Sequence, residues 1–316
     1  MAKIVFWSQW ASTPQNGVAA ALPADEVMPI KDESDLRPAA EAEIAFCGTS
    51  TDRVRRLIAA APKLRWLHTP SAGVDRFVEI PAFRERKIVL TNNSGSYDIQ
   101  IAEHVIAFIF AAGKQLHRYR DQQREGIWED QEHHELRGET VVVYGAGSIG
   151  GEVVRLASAL GMRVIAVRRT GGPVPGAARV VGPQALAEVA AEADYLVVAA
   201  PLTPATRGQV SREVLGRMKK SAWVINIARG PIIDEAALIE ALAEGRIGGA
   251  ALDTFDTEPL PADSPLWKLP NVIVTPHASN RSPKVRERTL ALFVENVRRY
   301  KAGEPLLNQV SFEAGY

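Results

Sequence analysis

Val141-Val142-Val143-Tyr144-Gly145-Ala146-Gly147-Ser148-Ile149-Gly150 decides the architecture of this 316-residue chain. A β-branched run leads into G-x-G-x-x-G, a helical pattern continues to Leu160, and a second apolar run follows at Arg163–Val167. Strand, glycine turn, helix and strand in that order are the signature of a dinucleotide-binding βαβ unit. Gly145 makes the tight turn, Gly147 lets a pyrophosphate approach the backbone, and Gly150 permits close packing of helix on strand. The helix N-terminus, from Ser148 and Ile149 onward, offers N–H donors and a partial positive charge to the phosphates.

The end of the second strand bears on which dinucleotide is bound. A unit for NAD places an acidic residue there, about 20 residues past the glycines, to hold the ribose 2′-hydroxyl. This chain reads Arg168-Arg169-Thr170 instead, and no Asp or Glu occurs from Val153 through Ala187. Arg155, Arg163, Arg168, Arg169 and Arg179 all lie in that stretch. A carboxylate would repel a 2′-phosphate, whereas guanidinium groups bind it through charge-assisted hydrogen bonds. NADP(H) is therefore the expected cofactor, with NAD(H) as the alternative.

Working outward, short β-rich runs alternate with helical patterns along the whole chain. Strands are expected at 3–7, 42–48, 65–69 and 87–91, then at 140–144, 163–167, 195–199, 223–227, 249–252 and 271–275. Continuous apolar runs such as Val141-Val142-Val143 suit parallel strands covered on both faces. Asp234 is the expected N-cap of a helix closed by Gly245, and Ser282-Pro283 opens a helix running to about Lys301. A helical pattern over 99–119 would span about 30 Å, enough to connect two domains. The pattern is that of a doubly wound α/β protein with residues 1–95 as one lobe and 96–282 as another. The helix and tail at 283–316 are free to return to the first lobe.

Composition excludes several classes. With 46% hydrophobic and 23% charged residues the chain is globular rather than disordered. Thirty-seven acids against 37 bases give no electrostatic reason to expect a nucleic acid or a membrane surface as partner. The longest apolar stretch, 105–112, is far short of the roughly 20 residues that cross a bilayer. Met-Ala-Lys-Ile-Val-Phe-Trp lacks the features of a signal peptide, and the lone Cys47 cannot form an intramolecular disulfide. A cytoplasmic protein is expected, with Cys47 buried in a strand.

Three polar residues follow the carboxyl ends of apparent parallel strands, where open α/β sheets bind ligands. They are Arg229 in Asn226-Ile227-Ala228-Arg229-Gly230, Glu258 in Glu258-Pro259-Leu260, and His277 in Pro276-His277. Taken singly, each also reads as a surface charge, a cap or a turn residue. Elsewhere stand Ser71-Ala72-Gly73-Val74-Asp75, Ala102-Glu103-His104 and Pro201-Leu202-Thr203-Pro204-Ala205-Thr206-Arg207.

With these motifs in this order, the whole chain resembles the D-isomer-specific 2-hydroxyacid dehydrogenases. The spacings, 29 residues from Arg229 to Glu258 and 19 from Glu258 to His277, suit the glyoxylate and hydroxypyruvate reductase branch. The resemblance implies two doubly wound parallel-sheet (Rossmann-like) domains with the active site in the cleft between them. The substrate domain would comprise 1–95 and 283–316, and the NAD(P)-binding domain 96–282. A small 2-keto acid would be reduced to a D-2-hydroxy acid. His277 would be the acid, an imidazole being the side chain whose charge changes near neutral pH. Glu258 would stabilise its imidazolium, and Arg229 would hold the substrate carboxylate together with the N–H groups of Ala72 and Gly73. Pro201, Thr206, Ala228, Asp253 and His277 would stand beside the cofactor, along with Gly145, Gly147, Ser148, Ile149, Gly150, Arg168, Arg169 and Thr170. A homodimer formed through the cofactor domain is usual in this family.

Two residues depart from the family pattern: Arg168 replaces the usual acid, and Ser279 stands where a glycine normally follows the catalytic histidine. The rival readings are an NAD-dependent D-2-hydroxyacid or phosphoglycerate dehydrogenase and a dinucleotide-sensing scaffold that binds cofactor without turnover. Against phosphoglycerate dehydrogenase, the chain to Tyr316 leaves no room for an appended regulatory domain. Glu129–Glu135 carries metal-ligand residue types, but its adjacent histidines lack the i, i+4 spacing of a helical site, so no metal is expected. His68 and His104 read as packing or hydrogen-bonding residues. Arg281 is weighed as a residue within reach of the pocket mouth and set aside, and the tryptophans, Trp10 and Trp128 among them, are read as core or interface.

Overall fold

The apolar runs become parallel strands in the computed structural model, which describes residues 1–7, 13–31, 34–48 and 50–316. The chain divides into two units, Met1–Tyr97 with Ser282–Tyr316, and Asp98–Arg281.

In the first unit, β1 (Lys3–Trp7), α1 (Thr13–Ala21), β2 (Glu26–Pro29), β3 (Ile44–Cys47) and α2 (Thr51–Ala60) are followed by β4 (Trp66–His68), α3 (Ala82–Glu85) and β5 (Val89–Thr91). The five strands form a parallel sheet in the order β2-β1-β3-β4-β5. One face packs Val5, Cys47 and Leu67 with Leu57 and Phe83. The other packs Ile4, Phe46 and Trp66 with Phe293 and Val297 from the chain's last helix, so the C-terminal segment completes this core. Phe6 stacks on Phe46 at 4.3 Å, and Phe293 meets Phe46 edge-on at 5.2 Å. Cys47 is wholly buried, and burial pushes its thiol up to about 12.

The second unit begins with α4 (Asp98–Gly113) and α5 (Leu116–Glu125), then β6 (Thr140–Tyr144), α6 (Ser148–Ala159), β7 (Arg163–Val167), β8 (Arg179–Val181) and α7 (Leu186–Ala190). It continues through β9 (Tyr195–Val198), α8 (Arg212–Arg217), β10 (Trp223–Asn226), α9 (Glu235–Ala243), β11 (Gly249–Leu252) and β12 (Val272–Val274). The sheet is parallel throughout, in the order β12-β11-β10-β9-β6-β7-β8. β6 and β9 lie inside it and are buried at every residue, as their uninterrupted apolar sequence requires. Helix α10 (Val285–Ala302) then returns to the first unit.

Two helices and two strands depart from the sequence reading. The single helix expected over 99–119 is two, α4 and α5, separated by Gln115 in the left-handed region at φ 53°. Gly113, the last residue of α4, packs closely: a Cβ there would stand 2.7 Å from Leu136 and 2.9 Å from the Tyr195 hydroxyl. The last helix begins at Val285 rather than at Pro283; the Ser282 hydroxyl accepts the Lys284 N–H within a preceding turn. The expected helix after Asp234 forms, with the Asp234 carboxylate accepting the Ala237 N–H at 3.0 Å. Strands β2 and β8 escaped the sequence reading. Both are sheet edges and only partly buried, so they lack a continuous apolar run. Of the tryptophans, Trp7, Trp66 and Trp223 are buried, Trp267 is half exposed and Trp128 fully exposed. Trp10 lies outside the described residues. No helix among the described residues is long and apolar enough to cross a membrane.

Candidate active site

Because the seven strands run in parallel, their carboxyl ends line one edge of the sheet, and the candidate residues of the second unit all follow those ends. The glycine turn leaves β6. Gly145 has φ +101°, and a Cβ there would lie 2.3 Å from the Ala200 nitrogen. A Cβ on Gly150 would lie 2.2 Å from the Gly145 oxygen, so helix and strand approach too closely for any side chain. Gly147 is different: a Cβ would meet nothing within 4 Å. The protein leaves room beside the backbone there, room that a ligand pressed against it would take. Helix α6 starts at Ser148 with no side-chain cap, which leaves its first-turn N–H groups for a ligand. This arrangement fits the pyrophosphate of a dinucleotide. Beside it, the Ser148 hydroxyl donates to the carboxylate of Asp98, the first residue of α4.

At the end of β7, the Arg168 guanidinium donates to the Thr170 hydroxyl at 2.8 and 3.2 Å. Arg155 pairs with Glu152, Arg163 with Glu192, and Arg179 with both Glu188 and Glu192. The carboxylates flanking the acid-free segment thus neutralise those three. Arg168, Arg169 and Thr170 follow the end of β7 directly. After β9, the Thr206 hydroxyl donates to the Pro201 carbonyl at 2.7 Å and accepts the Thr203 N–H at 2.8 Å, closing that loop.

Arg229 follows β10 in extended backbone. Asn226, the last residue of that strand, holds the loop: its carboxamide accepts the Ala228 N–H at 3.0 Å and donates to the Arg229 carbonyl at 3.1 Å. Arg229 Nη1 donates to the Ala228 carbonyl at 2.7 Å. A Cβ on Gly230 would lie 2.0 Å from the Phe255 carbonyl carbon, so the loops after β10 and β11 touch backbone to backbone.

Glu258 lies on the second of these loops and His277 follows β12. His277 Nδ1 lies 2.7 Å from Glu258 Oε2, while Glu258 Oε1 accepts the Phe255 N–H at 3.1 Å. In the neutral ring Nδ1 is therefore the donor, which leaves Nε2 as the nitrogen for chemistry. Burial opposes ionisation of Glu258, but the His277 and Phe255 hydrogen bonds and the charges of His277 and Arg229 outweigh it. The carboxyl is held below its ordinary value. His277 sits in the left-handed region at φ 50°. Asp253, wholly buried at the end of β11, accepts the Ala278 N–H at 2.8 Å and the Ser279 N–H at 3.1 Å. The residue that replaces the family's glycine thus contributes its backbone to a buried carboxylate. Asn226, which holds the Arg229 loop, and Thr275, whose hydroxyl donates to Asp253 Oδ1 at 2.5 Å, were absent from the sequence-derived site. Their signal was position alone, at or beside the strand ends that hold Arg229 and His277.

In the first unit, the loop after β4 is pinned by Asn92, which donates to the Ala72 carbonyl at 3.0 Å, and by the Ser71 hydroxyl, which donates to the Gly73 carbonyl at 2.7 Å. Carbonyls fixed in this way orient the intervening peptide groups. His68, at the end of β4, is fully buried, and burial drives its ring down to about 3. Among the described residues no three metal-ligating side chains converge. His133 meets the Tyr119 hydroxyl at 2.9 Å, and His134 meets Glu139 at 3.1 Å. A cavity of about 270 Å³ lies at the opposite, amino edge of the seven-stranded sheet, lined by His117, Glu139 and Tyr195 among others, away from Glu258 and His277.

The model of the D-isomer specific 2-hydroxyacid dehydrogenase NAD binding domain matches residues 106–279. The chain is 35% identical over 263 residues to a glyoxylate reductase of Korarchaeum cryptofilum, covering 80% of this chain and 78% of that protein. It is 33% identical over 288 residues to a D-3-phosphoglycerate dehydrogenase of Methanocaldococcus jannaschii, covering 88% of this chain but only about half, 53%, of that longer protein. A solved structure of a D-isomer specific 2-hydroxyacid dehydrogenase from Xanthobacter autotrophicus, in complex with NADPH and MES, superposes with a TM-score of 0.89 at 31% identity. That match covers 100% of this chain and 99% of the other.

Proposed function

The chain belongs to the D-isomer specific 2-hydroxyacid dehydrogenase family, nicotinamide-dependent oxidoreductases, and on that premise we propose that it reduces small 2-keto acids to D-2-hydroxy acids, glyoxylate and hydroxypyruvate foremost, with NADPH preferred over NADH. The observation that carries this reading is the Glu258–His277 pair, held at 2.7 Å on the same sheet edge as the glycine turn.

When bound, the reduced nicotinamide supplies a hydride to the carbonyl carbon. The chain's residues do the rest. His277 gives the proton on Nε2 to the carbonyl oxygen as negative charge develops there, and the ionised Glu258 stabilises the imidazolium that carries this proton. Arg229 binds the substrate carboxylate through its planar fork and so fixes the keto carbon. Asn226 keeps the Arg229 loop in register. Ala72 and Gly73 are assigned to the same carboxylate through their backbone N–H groups. Gly145, Gly147, Ser148, Ile149 and Gly150 are assigned to the pyrophosphate, and Pro201, Thr206, Ala228 and Asp253 to the flanking loops around the dinucleotide.

The cofactor preference rests on Arg168, Arg169 and Thr170 standing where an NAD unit places a carboxylate. NADPH in the Xanthobacter relative supports it. A cytoplasmic homodimer, associated through the unit that carries the glycine turn, completes the proposal.

The test is initial rates with glyoxylate and hydroxypyruvate, each with NADPH and NADH. The expected result is a kcat/KM at least about tenfold higher with NADPH, roughly 1.4 kcal/mol. Equal use of NADH would overturn the arginine argument and leave the His277 chemistry intact. Cofactor binding without turnover of any 2-keto acid would point to a sensing scaffold instead.

A further inference from the structure

We infer that His104 and Thr275 form a positioning chain that acts through Asp253 to hold the backbone of His277 in its reactive conformation. The inference rests on the proposed role of His277 as proton donor.

The direction of each hydrogen bond follows from counting protons. The Thr275 hydroxyl lies 2.5 Å from Asp253 Oδ1, an acceptor when ionised, so its one proton goes there. The contact between His104 Nε2 and the same hydroxyl at 3.2 Å must then be donation by the histidine. The chain runs His104 to Thr275 to Asp253. Burial favours the neutral form of His104, against the pull of the Asp253 charge, and the neutral ring with its proton on Nε2 is the donor this chain requires. The ring also packs edge-on against Phe108, one turn along α4, at 4.4 Å.

At the far end, Asp253 collects donors from both sides of the turn that carries His277. Oδ1 accepts the Thr275 hydroxyl and the Ala278 N–H, and Oδ2 accepts the Ser279 N–H. Thr275 is also tied by its own N–H to the Leu252 carbonyl at 2.9 Å, and the His277 N–H donates to the Thr275 carbonyl at 3.0 Å. His277 lies between these anchors at φ 50°, a conformation a non-glycine residue keeps only when its surroundings enforce it. Glu258 orients the ring; the Asp253 cluster orients the backbone that bears it. His104 and Thr275 need touch neither substrate nor cofactor to matter.

The experiment compares Thr275→Val, Thr275→Ser and His104→Leu with the wild type. It measures kcat with glyoxylate and hydroxypyruvate, the Kd for NADPH, and amide hydrogen exchange over residues 275–281. Thr275→Val is expected to lower kcat roughly tenfold to a hundredfold while NADPH affinity stays within about twofold. The Ala278 and Ser279 amides should exchange about tenfold faster as they lose their fixed acceptor. Thr275→Ser, which keeps the hydroxyl, should restore both readouts. His104→Leu should move them in the same direction by less, and it keeps the test readable if Thr275→Val fails to fold. Unchanged exchange in both Thr275→Val and His104→Leu overturns the chain, as does a serine variant as impaired as the valine. Faster exchange with wild-type kcat overturns its bearing on catalysis. A wild type inactive on every 2-keto acid sinks the proposed function, and the exchange rates still decide whether the chain holds the turn.

Discussion

The turn after β6 and the turn after β12 lie on the same sheet edge and are built on opposite plans. At the first, the backbone is left open: Gly147 has space where a Cβ would go, and α6 begins without a side-chain cap. At the second, nearly every polar group is spoken for. Asp253 takes three donors, Glu258 takes two, and His277 keeps one ring nitrogen uncommitted to them. Holding a large anion calls for backbone donors that nothing else satisfies. Delivering one proton calls for a single side chain whose every degree of freedom is fixed.

The contrast breaks if side-chain loss at the second turn costs binding rather than rate. His277→Ala should lower kcat by roughly 10²–10⁴-fold and leave the NADPH Kd within about threefold; stopped-flow rates beside fluorescence titration separate the two. The acid side of the profile sharpens the same point. Glu258 ionises more readily than a free glutamate, so its pairing with His277 supports the fold above the ordinary glutamate range and is lost as pH falls through its lowered value. Between pH 5 and 7, therefore, loss of the Glu258 charge should make no contribution to any fall in kcat, which Glu258→Gln tests by comparison of profiles. At the first turn the expected pattern reverses. Gly147→Ala should weaken NADPH binding about tenfold or more with little change in thermal midpoint, since its Cβ meets nothing in the protein. Gly150→Ala should instead destabilise the fold by about 1–3 kcal/mol, because its Cβ lands on the Gly145 carbonyl.

These two turns also differ in how plainly the sequence announced them. The glycine turn was legible because backbone geometry forces residue type: φ +101° at Gly145 and the close approach at Gly150 admit nothing but glycine. The interior strands were legible for a similar reason, burial on both faces demanding unbroken apolar runs. The strands β2 and β8 were not: β2 carries Glu26 and Pro29 and β8 opens on Arg179, so neither offers an apolar run as long as that of the interior strands. Arg229, Glu258 and His277 were visible as polar residues after strand ends, and the family's motif order joined them. Thr275 was not assigned, and the partner of His104 was not legible, because hydrogen bonds made across 22 and 171 residues of chain leave no local pattern; Asn226, whose carboxamide reaches only two and three residues on, stood unassigned inside the Arg229 motif. The break between α4 and α5 stayed hidden because a single left-handed residue, Gln115, interrupts a helical pattern that otherwise continues on both sides.

Smaller effects probe the electrostatics of the open turn. Arg168→Asp with Arg169→Ala should move the kcat/KM ratio towards NADH by roughly tenfold, with kcat for NADH little changed. An unmoved ratio would detach those residues from the 2′-phosphate.

The smallest expected effect concerns Asp98, which is the first residue of α4 and accepts the Ser148 hydroxyl at the start of α6. Its carboxylate complements the positive ends of two helices in the free protein, and one of these is the end assigned to the pyrophosphate. The same charge that favours the free protein must repel the incoming phosphates and compete for Ser148. Charges at helix ends are worth about 0.3–1 kcal/mol, so Asp98→Asn should tighten NADPH binding by roughly two- to fivefold and lower the stability of the free protein by a similar free energy. Both shifts should shrink as salt rises, because the interaction lies at the surface. Calorimetric titration and thermal melts at two ionic strengths read the pair together. Tighter binding without loss of stability would mean that Asp98 opposes the ligand but does not stabilise the start of α6. Loss of stability without tighter binding would place the pyrophosphate away from Ser148 and break the reading of the open turn.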